Sequence, residues 1–149
     1  MGILDIFKKK VKFIDDVFGS LDYTTFKDSS KNFYSGMVQF QENLIGINLD
    51  ADENGPTLAQ KDFFLMLSAN YNEIKENIIL PFLKQELEDS IEKSGLNNFD
   101  NEFKFDGISI GCFKKSNSEW SITYDSKLMR HYVSIDFEGI NPKYISIDG

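Results

Sequence analysis

A long helical periodicity in the middle of this chain, with strand-like alternation on both sides, constrains the fold more than any other feature. From Pro56 to Ser94, apolar residues recur at steps of three and four: Phe64, Leu67, Tyr71, Ile74 and Ile78, then Leu83, Leu87 and Ile91. One straight helix over that span would be roughly 58 Å long at about 1.5 Å per residue. A globule of 149 residues cannot cover such a rod. Pro81 lacks an amide hydrogen and crowds the preceding turn. The spacing therefore predicts a break or sharp kink near Ile79–Pro81, and hence a helical pair. Asn54-Gly55-Pro56 turns the chain into the first helix, and Ser94-Gly95 caps the second.

On either side the period changes to two. Leu21–Phe26, Phe33–Phe40 and Leu44–Leu49 read as strands before the helices. After them, Phe103-Lys104-Phe105 and Ile108-Ser109-Ile110 flank Asp106-Gly107, a pair favoured in two-residue hairpin turns. Trp120, Ile122 and Tyr124 alternate with polar residues, as do Val133, Ile135 and Phe137, and Ile145 and Ile147 close the pattern. Strand blocks around a helical centre predict an α+β fold: a largely antiparallel sheet of about seven strands with the central helical pair packed on one face. Residues 3–18 read differently. Leu4, Phe7, Val11, Ile14 and Phe18 step by three and four, opposite Asp5, Lys8, Lys9, Lys12, Asp15 and Asp16. The expectation is an N-terminal amphipathic helix over residues 1–18, followed by a single α+β domain over 19–149. Such a helix would dock on its own sheet or on another chain, or contact a membrane through residues 3–18.

Charge narrows the choice of partners. The chain carries 24 acidic against 16 basic residues, a net charge of −8, and four of the basic ones fall in the first twelve positions. The remainder is acidic enough to repel phosphate backbones, so nucleic acid is excluded and a basic protein partner is favoured. Arg130 is the one arginine, which argues against bidentate phosphate recognition. Ile3, Leu4, Ile6 and Phe7 precede the lysines, the reverse of a secretory signal, and Ile6 breaks the myristoylation pattern. The cytoplasm is the expected compartment.

Catalytic and metal chemistry find few residues to work with. One His (His131) and one Cys (Cys112) cannot supply a structural zinc site, and no cofactor is implied. A Cys112–His131 dyad would need the two side chains to meet. Asp50-Ala51-Asp52-Glu53-Asn54-Gly55 imitates the first half of a calcium loop, but Lys61 stands where the closing Glu belongs. No phosphate-cradling glycine loop and no nucleophile elbow is present. The candidate partner-binding residues are the acids of the outer sheet and the loop: Asp50, Asp52, Glu53, Glu119, Asp125, Asp136 and Glu138. Among the aromatics, Tyr23, Phe26, Phe33, Tyr34 and Phe40 are candidates for a platform.

Asn54-Gly55-Pro56 with Gln60, a helix carrying Tyr71, the run Trp120-Ser121-Ile122-Thr123-Tyr124-Asp125 and His131 together resemble small bacterial α+β domains. Some of these occur at polymorphic toxin loci as immunity proteins. The resemblance runs from Phe18 onward and does not include the N-terminal segment. It implies a non-catalytic protein that binds and occludes a cognate toxin. The leading expectation is therefore an immunity-like binding protein for a basic partner. The alternatives are a regulatory or scaffold module docking through its N-terminal helix, and a carboxylate-based hydrolase without a recognisable motif.

Overall fold

The computed structural model describes residues 9–87, 96–113 and 118–148. Eight strands form one sheet in sequence order: β1 (Lys9–Asp15), β2 (Gly19–Thr25), β3 (Phe33–Phe40), β4 (Asn43–Asp50), β5 (Phe103–Ile110), β6 (Glu119–Ser126), β7 (His131–Glu138) and β8 (Asn141–Asp148). Every neighbouring pair is antiparallel except β4 and β5, which run parallel. Parallel neighbours need a crossover, and the helical segment supplies it. That segment comprises α1 (Leu58–Ile74), a π-helical turn (Lys75–Ile79) and α2 (Leu80–Glu86). The short α3 (Phe99–Glu102) leads into β5.

The expected helical pair is one long helix instead. Ile74, Ile79 and Leu80 all keep right-handed helical dihedrals, so the path does not break before Pro81. The π turn explains how: the amide of Leu80 reaches the carbonyl of Lys75, five residues back. Widening the helix there relieves the clash that a proline ring makes with the preceding turn. The buried residues record the same change, stepping by three and four through Phe64, Leu67, Tyr71 and Ile74, then by five to Ile79, then by four to Leu83 and Leu87. At about 1.5 Å per residue, Leu58–Glu86 spans about 43 Å. It runs from Lys61, tied to the β1–β2 turn, past Tyr71, which meets Phe105 and Tyr124, to Lys75, paired with Asp100 just before β5. The proposed cap at Ser94-Gly95 lies outside the described residues.

The expected N-terminal helix is also overturned. Residues 1–8 lie outside the described residues, but Lys9–Asp15 is a strand paired with β2 in the register Val11↔Tyr23 and Phe13↔Leu21. Phe13 packs edge-on against Tyr34 at 5.2 Å between ring centres. Asp15 ends the strand. Its carboxylate accepts from the amides of Val17 (2.8 Å) and Phe18 (2.9 Å), a local bond that competes with helix formation. Lys61 then ties this turn to α1 by contacts to Asp15 at 3.1 Å and Asp16 at 2.8 Å. The β-branched and aromatic residues of this segment suit a strand at least as well as a helix, and pairing with β2 decides between them.

A third correction concerns Asp106-Gly107. These residues do not turn; Phe103–Ile110 is one strand with a bulge at Asp106, between the pairs Phe105↔Tyr124 and Gly107↔Thr123. Gly107 faces Gly46 across the parallel junction, where an added Cβ would stand 3.1 Å from the Gly46 carbonyl oxygen. The glycine serves close backbone approach here, and not a reversal. The observed fold is thus an eight-stranded, mostly antiparallel sheet with one long helix on one face, where the sequence suggested about seven strands and a helical pair.

Candidate functional site: the open face of the sheet

Strand alternation divides the side chains between two faces. Phe40, Ile45, Leu49, Ile108, Ile122, Tyr124 and Ile135 point towards the helix and are buried. On the opposite face the middle of the sheet is floored by small polar residues. The registers align Asn48, Ser109, Ser121 and Asp136 in one row from β4 to β7, ending at Tyr144 on β8. Short side chains in the centre and larger ones at the margins leave a groove of about 680 Å³. Phe33 stands at one end, and Lys143 with Tyr144 at the other.

Asp50, Glu119, Asp136 and Glu138 all line this groove. Glu119 and Glu138 face each other directly across β6 and β7. Like charges so placed oppose sheet pairing, and Lys143 is the one cation among the described residues of the lining. Burial by the surrounding walls raises the Asp50 carboxyl above the ordinary aspartate value.

The groove is held from beneath by Gln60. Its side-chain carbonyl accepts from the Thr57 amide at 2.9 Å while the Gln60 amide donates to the Thr57 hydroxyl at 3.1 Å, closing a capping box at the start of α1. The Gln60 side-chain amide donates to the carbonyls of Asp50 (2.8 Å) and Gly111 (2.9 Å). One fully buried side chain thus joins the ends of β4 and β5, which flank the crossover. Gly111 in turn donates to the Glu119 carbonyl at 2.9 Å, so closely that a Cβ at position 111 would sit 2.9 Å from that oxygen. Trp120 stacks on Phe137 at 4.3 Å and donates from its indole to the Gly139 carbonyl at 2.6 Å, fixing the same end of β6 and β7.

The other three candidate acids lie elsewhere. Asp52 and Glu53 sit on the exposed β4–α1 loop, where the Asp52 carboxylate accepts from the Asn54 amide at 2.9 Å and its carbonyl accepts from the Tyr34 hydroxyl at 2.6 Å. Phe13 packs against Gly55 there, at a positive φ of 98° and with no room for a side chain. The loop is therefore a self-bonded turn, with Asp50 facing the groove and Asp52 capping its own backbone. Among the described residues no group of His, Cys, Asp and Glu is arranged to hold a metal ion. Asp125 shares the open face but pairs with Lys104 and Tyr132, away from the groove.

A Cys112–His131 dyad does not form. Cys112 follows Gly111 at the Glu119 end of β6, whereas His131 faces Ser126 at its other end. A strand rising about 3.4 Å per residue holds those ends about 24 Å apart. Of the platform aromatics, Phe33 reaches the groove, while Tyr23, Tyr34 and Phe40 are buried on the helix side. Asn48, Ser109, Ser121, Lys143 and Tyr144 were not marked by sequence reasoning, since small outward residues stand out only once strand order places them side by side.

No family model matches the chain, and neither a curated protein nor a solved structure matches it at a significant level. Among the described residues no helix is long and apolar enough to cross a membrane.

Proposed function

We propose that this chain is a non-catalytic binding protein whose open sheet face receives a basic protein partner, in the manner of an immunity protein occluding a toxin in the cytoplasm. The observation that carries the reading is the convergence of Asp50, Glu119, Asp136 and Glu138 on one groove with a small polar floor. Carboxylates set against each other in this way cost stability unless a cation arrives to relieve them. Phe33 and Tyr144 at the two ends offer flat surfaces on which the aliphatic stems or guanidinium planes of a basic partner can rest. The scaffold alternative relied on an N-terminal helix and loses its element over residues 9–15.

The test is binding to a basic probe protein such as lysozyme and to any protein encoded beside this chain, at about 50 mM and about 500 mM salt, since exposed charge pairs weaken with ionic strength. The combined Asp50→Asn, Glu119→Gln, Asp136→Asn and Glu138→Gln variant is measured beside the wild type. The reading expects weaker binding at high salt and at least a tenfold loss in the variant. Salt-independent binding that the variant retains would overturn it. A carboxylate-based hydrolase keeps one supporting observation, the direct opposition of Glu119 and Glu138 over the groove. Turnover of a small molecule abolished by Glu119→Gln would favour that reading instead.

A further inference from the structure

The two margins of the sheet differ in a way that the groove does not explain. β1 and β8 are its outermost strands, so each turns a row of backbone N–H and C=O groups away from the sheet. β1 is guarded. Its exposed Val11 and Ile14 are interleaved with exposed Lys10 and Lys12, and Lys12 is held over the open face by Asp22 at 2.8 Å. Lysine on an edge opposes pairing with another strand, because its charge would have to be desolvated. β8 is unguarded over Tyr144–Asp148, where Tyr144 is 72% and Ile147 40% exposed. Its proline and lysine, Pro142 and Lys143, both fall at the start of the strand, where the register shifts. Among the described residues nothing pairs with this edge.

We infer that Tyr144–Asp148 pairs antiparallel with the same segment of a second copy of this chain, about a two-fold axis at Ser146. The stretch of β8 beyond the register shift runs from Tyr144 to Asp148, in register with Asp136 to Tyr132 of β7, and Ser146 is its midpoint. Two sheets join without exchanging faces only if residues opposite one another point the same way, which requires the axis to pass through a residue. An axis at Ser146 sets Ile145 opposite Ile147 of the second copy and Tyr144 opposite its Asp148. Each isoleucine then gains an apolar neighbour on the helix side. Lys143, exposed beside Tyr144, comes within reach of Asp148 of the second copy, so the junction is complementary in charge as well as in shape. An axis at Ile145 would set Ile147 against Lys143 and forfeit both gains. Because the axis stands perpendicular to the sheet, both helices lie on one side and both acidic grooves on the other. A strand pair this short buries less than the roughly 1,200 Å² of a stable complex, so the dimer is a weak one that fills at high concentration.

Sedimentation velocity of the full chain from about 10 μM to about 1 mM tests the association, over the concentrations at which such weak contacts populate. The expected result is a monomer–dimer equilibrium that Ile147→Lys weakens at least tenfold while leaving the circular dichroism spectrum and melting temperature unchanged. Cross-linking tests the register. Opposed strand residues lie about 4.5–5.5 Å apart at Cα, within disulfide reach. In a Cys112→Ser background, Ser146→Cys should oxidise to a covalent dimer and Tyr144→Cys should not. A single monomeric species at the highest concentration, self-association indifferent to Ile147→Lys, or equal cross-linking at both positions would overturn the proposal. None of these outcomes depends on the groove binding a basic partner.

Discussion

On β6, Trp120, Ile122 and Tyr124 point under the helix and are no more than 4% exposed, while the residues between them, Ser121 and Thr123, stand on the open face. The same alternation runs through β4, β5 and β7, so one set of strands presents two unlike surfaces. The helix side is filled by interlocking rings: Phe40 meets Phe64, Tyr71 and Phe105, and Tyr124 meets Phe99, Phe103 and Phe105. The middle of the open side carries hydroxyls, amides and carboxylates, its margins exposed Met37, Leu44, Tyr132 and Tyr144, and among the described residues no layer lies above them. Packing fixes the first surface, because dense interiors register the loss of a single methylene. The second is free of that constraint, and its concentration of negative charge calls for a reason other than folding.

The comparison breaks first at the core. Ile122→Ala should cost about 2–5 kcal/mol, and Ser121→Ala next to it less than about 0.5 kcal/mol, both read from urea denaturation. Comparable losses at the two positions would show that the open face is covered by something that matters to folding. Next in size is Gln60→Leu, which keeps the volume but strips the Asp50 and Gly111 carbonyls of their donor; about 2–4 kcal/mol is expected. That variant should also weaken partner binding, since it loosens the strand end that positions Asp50.

The tyrosine hydroxyls sharpen the picture of the helix side. Tyr71 and Tyr124 hydrogen-bond to each other at 2.7 Å in the core, and burial pushes both phenols above the ordinary tyrosine value. Removing one hydroxyl orphans the other, so Tyr124→Phe should cost about 1–3 kcal/mol and the Tyr71→Phe, Tyr124→Phe double variant less than the two singles combined. Tyr34, whose hydroxyl donates to the Asp52 carbonyl, is pushed up to about 12, chiefly by burial. Its folded value exceeds its unfolded one, so its contribution is intact below about pH 10 and is lost as the pH rises towards the folded value. Tyr34→Phe should flatten that part of the alkaline stability profile.

The smallest effect belongs to the groove. The carboxyl of Asp50 is raised by burial, so the folded state holds its proton more tightly than the unfolded chain does. Stability from this site is present at low pH and lost as the carboxyl ionises. Asp50→Asn should therefore be slightly more stable than the wild type at neutral pH, with the difference vanishing below the unfolded value of about 3.9. A variant less stable at neutral pH would mean that Asp50 is already satisfied by a cation in the free protein.

Much of the helix side was legible in the sequence. Tyr34, Val38 and Phe40 on β3, and Ile45, Ile47 and Leu49 on β4, alternate inward as their spacing requires. The start of α1 was legible to within two residues from Asn54-Gly55-Pro56, but the Thr57–Gln60 capping box that sets it at Leu58 went unread. Residues 9–15 were not, because Val11, Phe13 and Ile14 satisfy helical and strand spacing alike, and only the pairing of Phe13 with Leu21 chooses between them. Asp106-Gly107 misled for the same reason: a turn signal yields when strands on both sides claim the backbone. The groove was half legible. Alternation alone turns Glu119, Asp136 and Glu138 outward, but Asp50 joins them only because a long crossover brings β4 beside β5.

The central claim is that a cationic partner settles on the open face, in the groove. Backbone amide shifts of the labelled full chain, titrated with an oligolysine peptide at low salt, test it most directly. The account predicts changes confined to the groove lining, Phe33, Asn48–Asp50, Ser109–Gly111, Glu119–Ser121, Asp136–Glu138 and Lys143–Tyr144, and abolished in the fourfold carboxylate variant. Shifts scattered over the surface, or centred on α1 or β1, would contradict it.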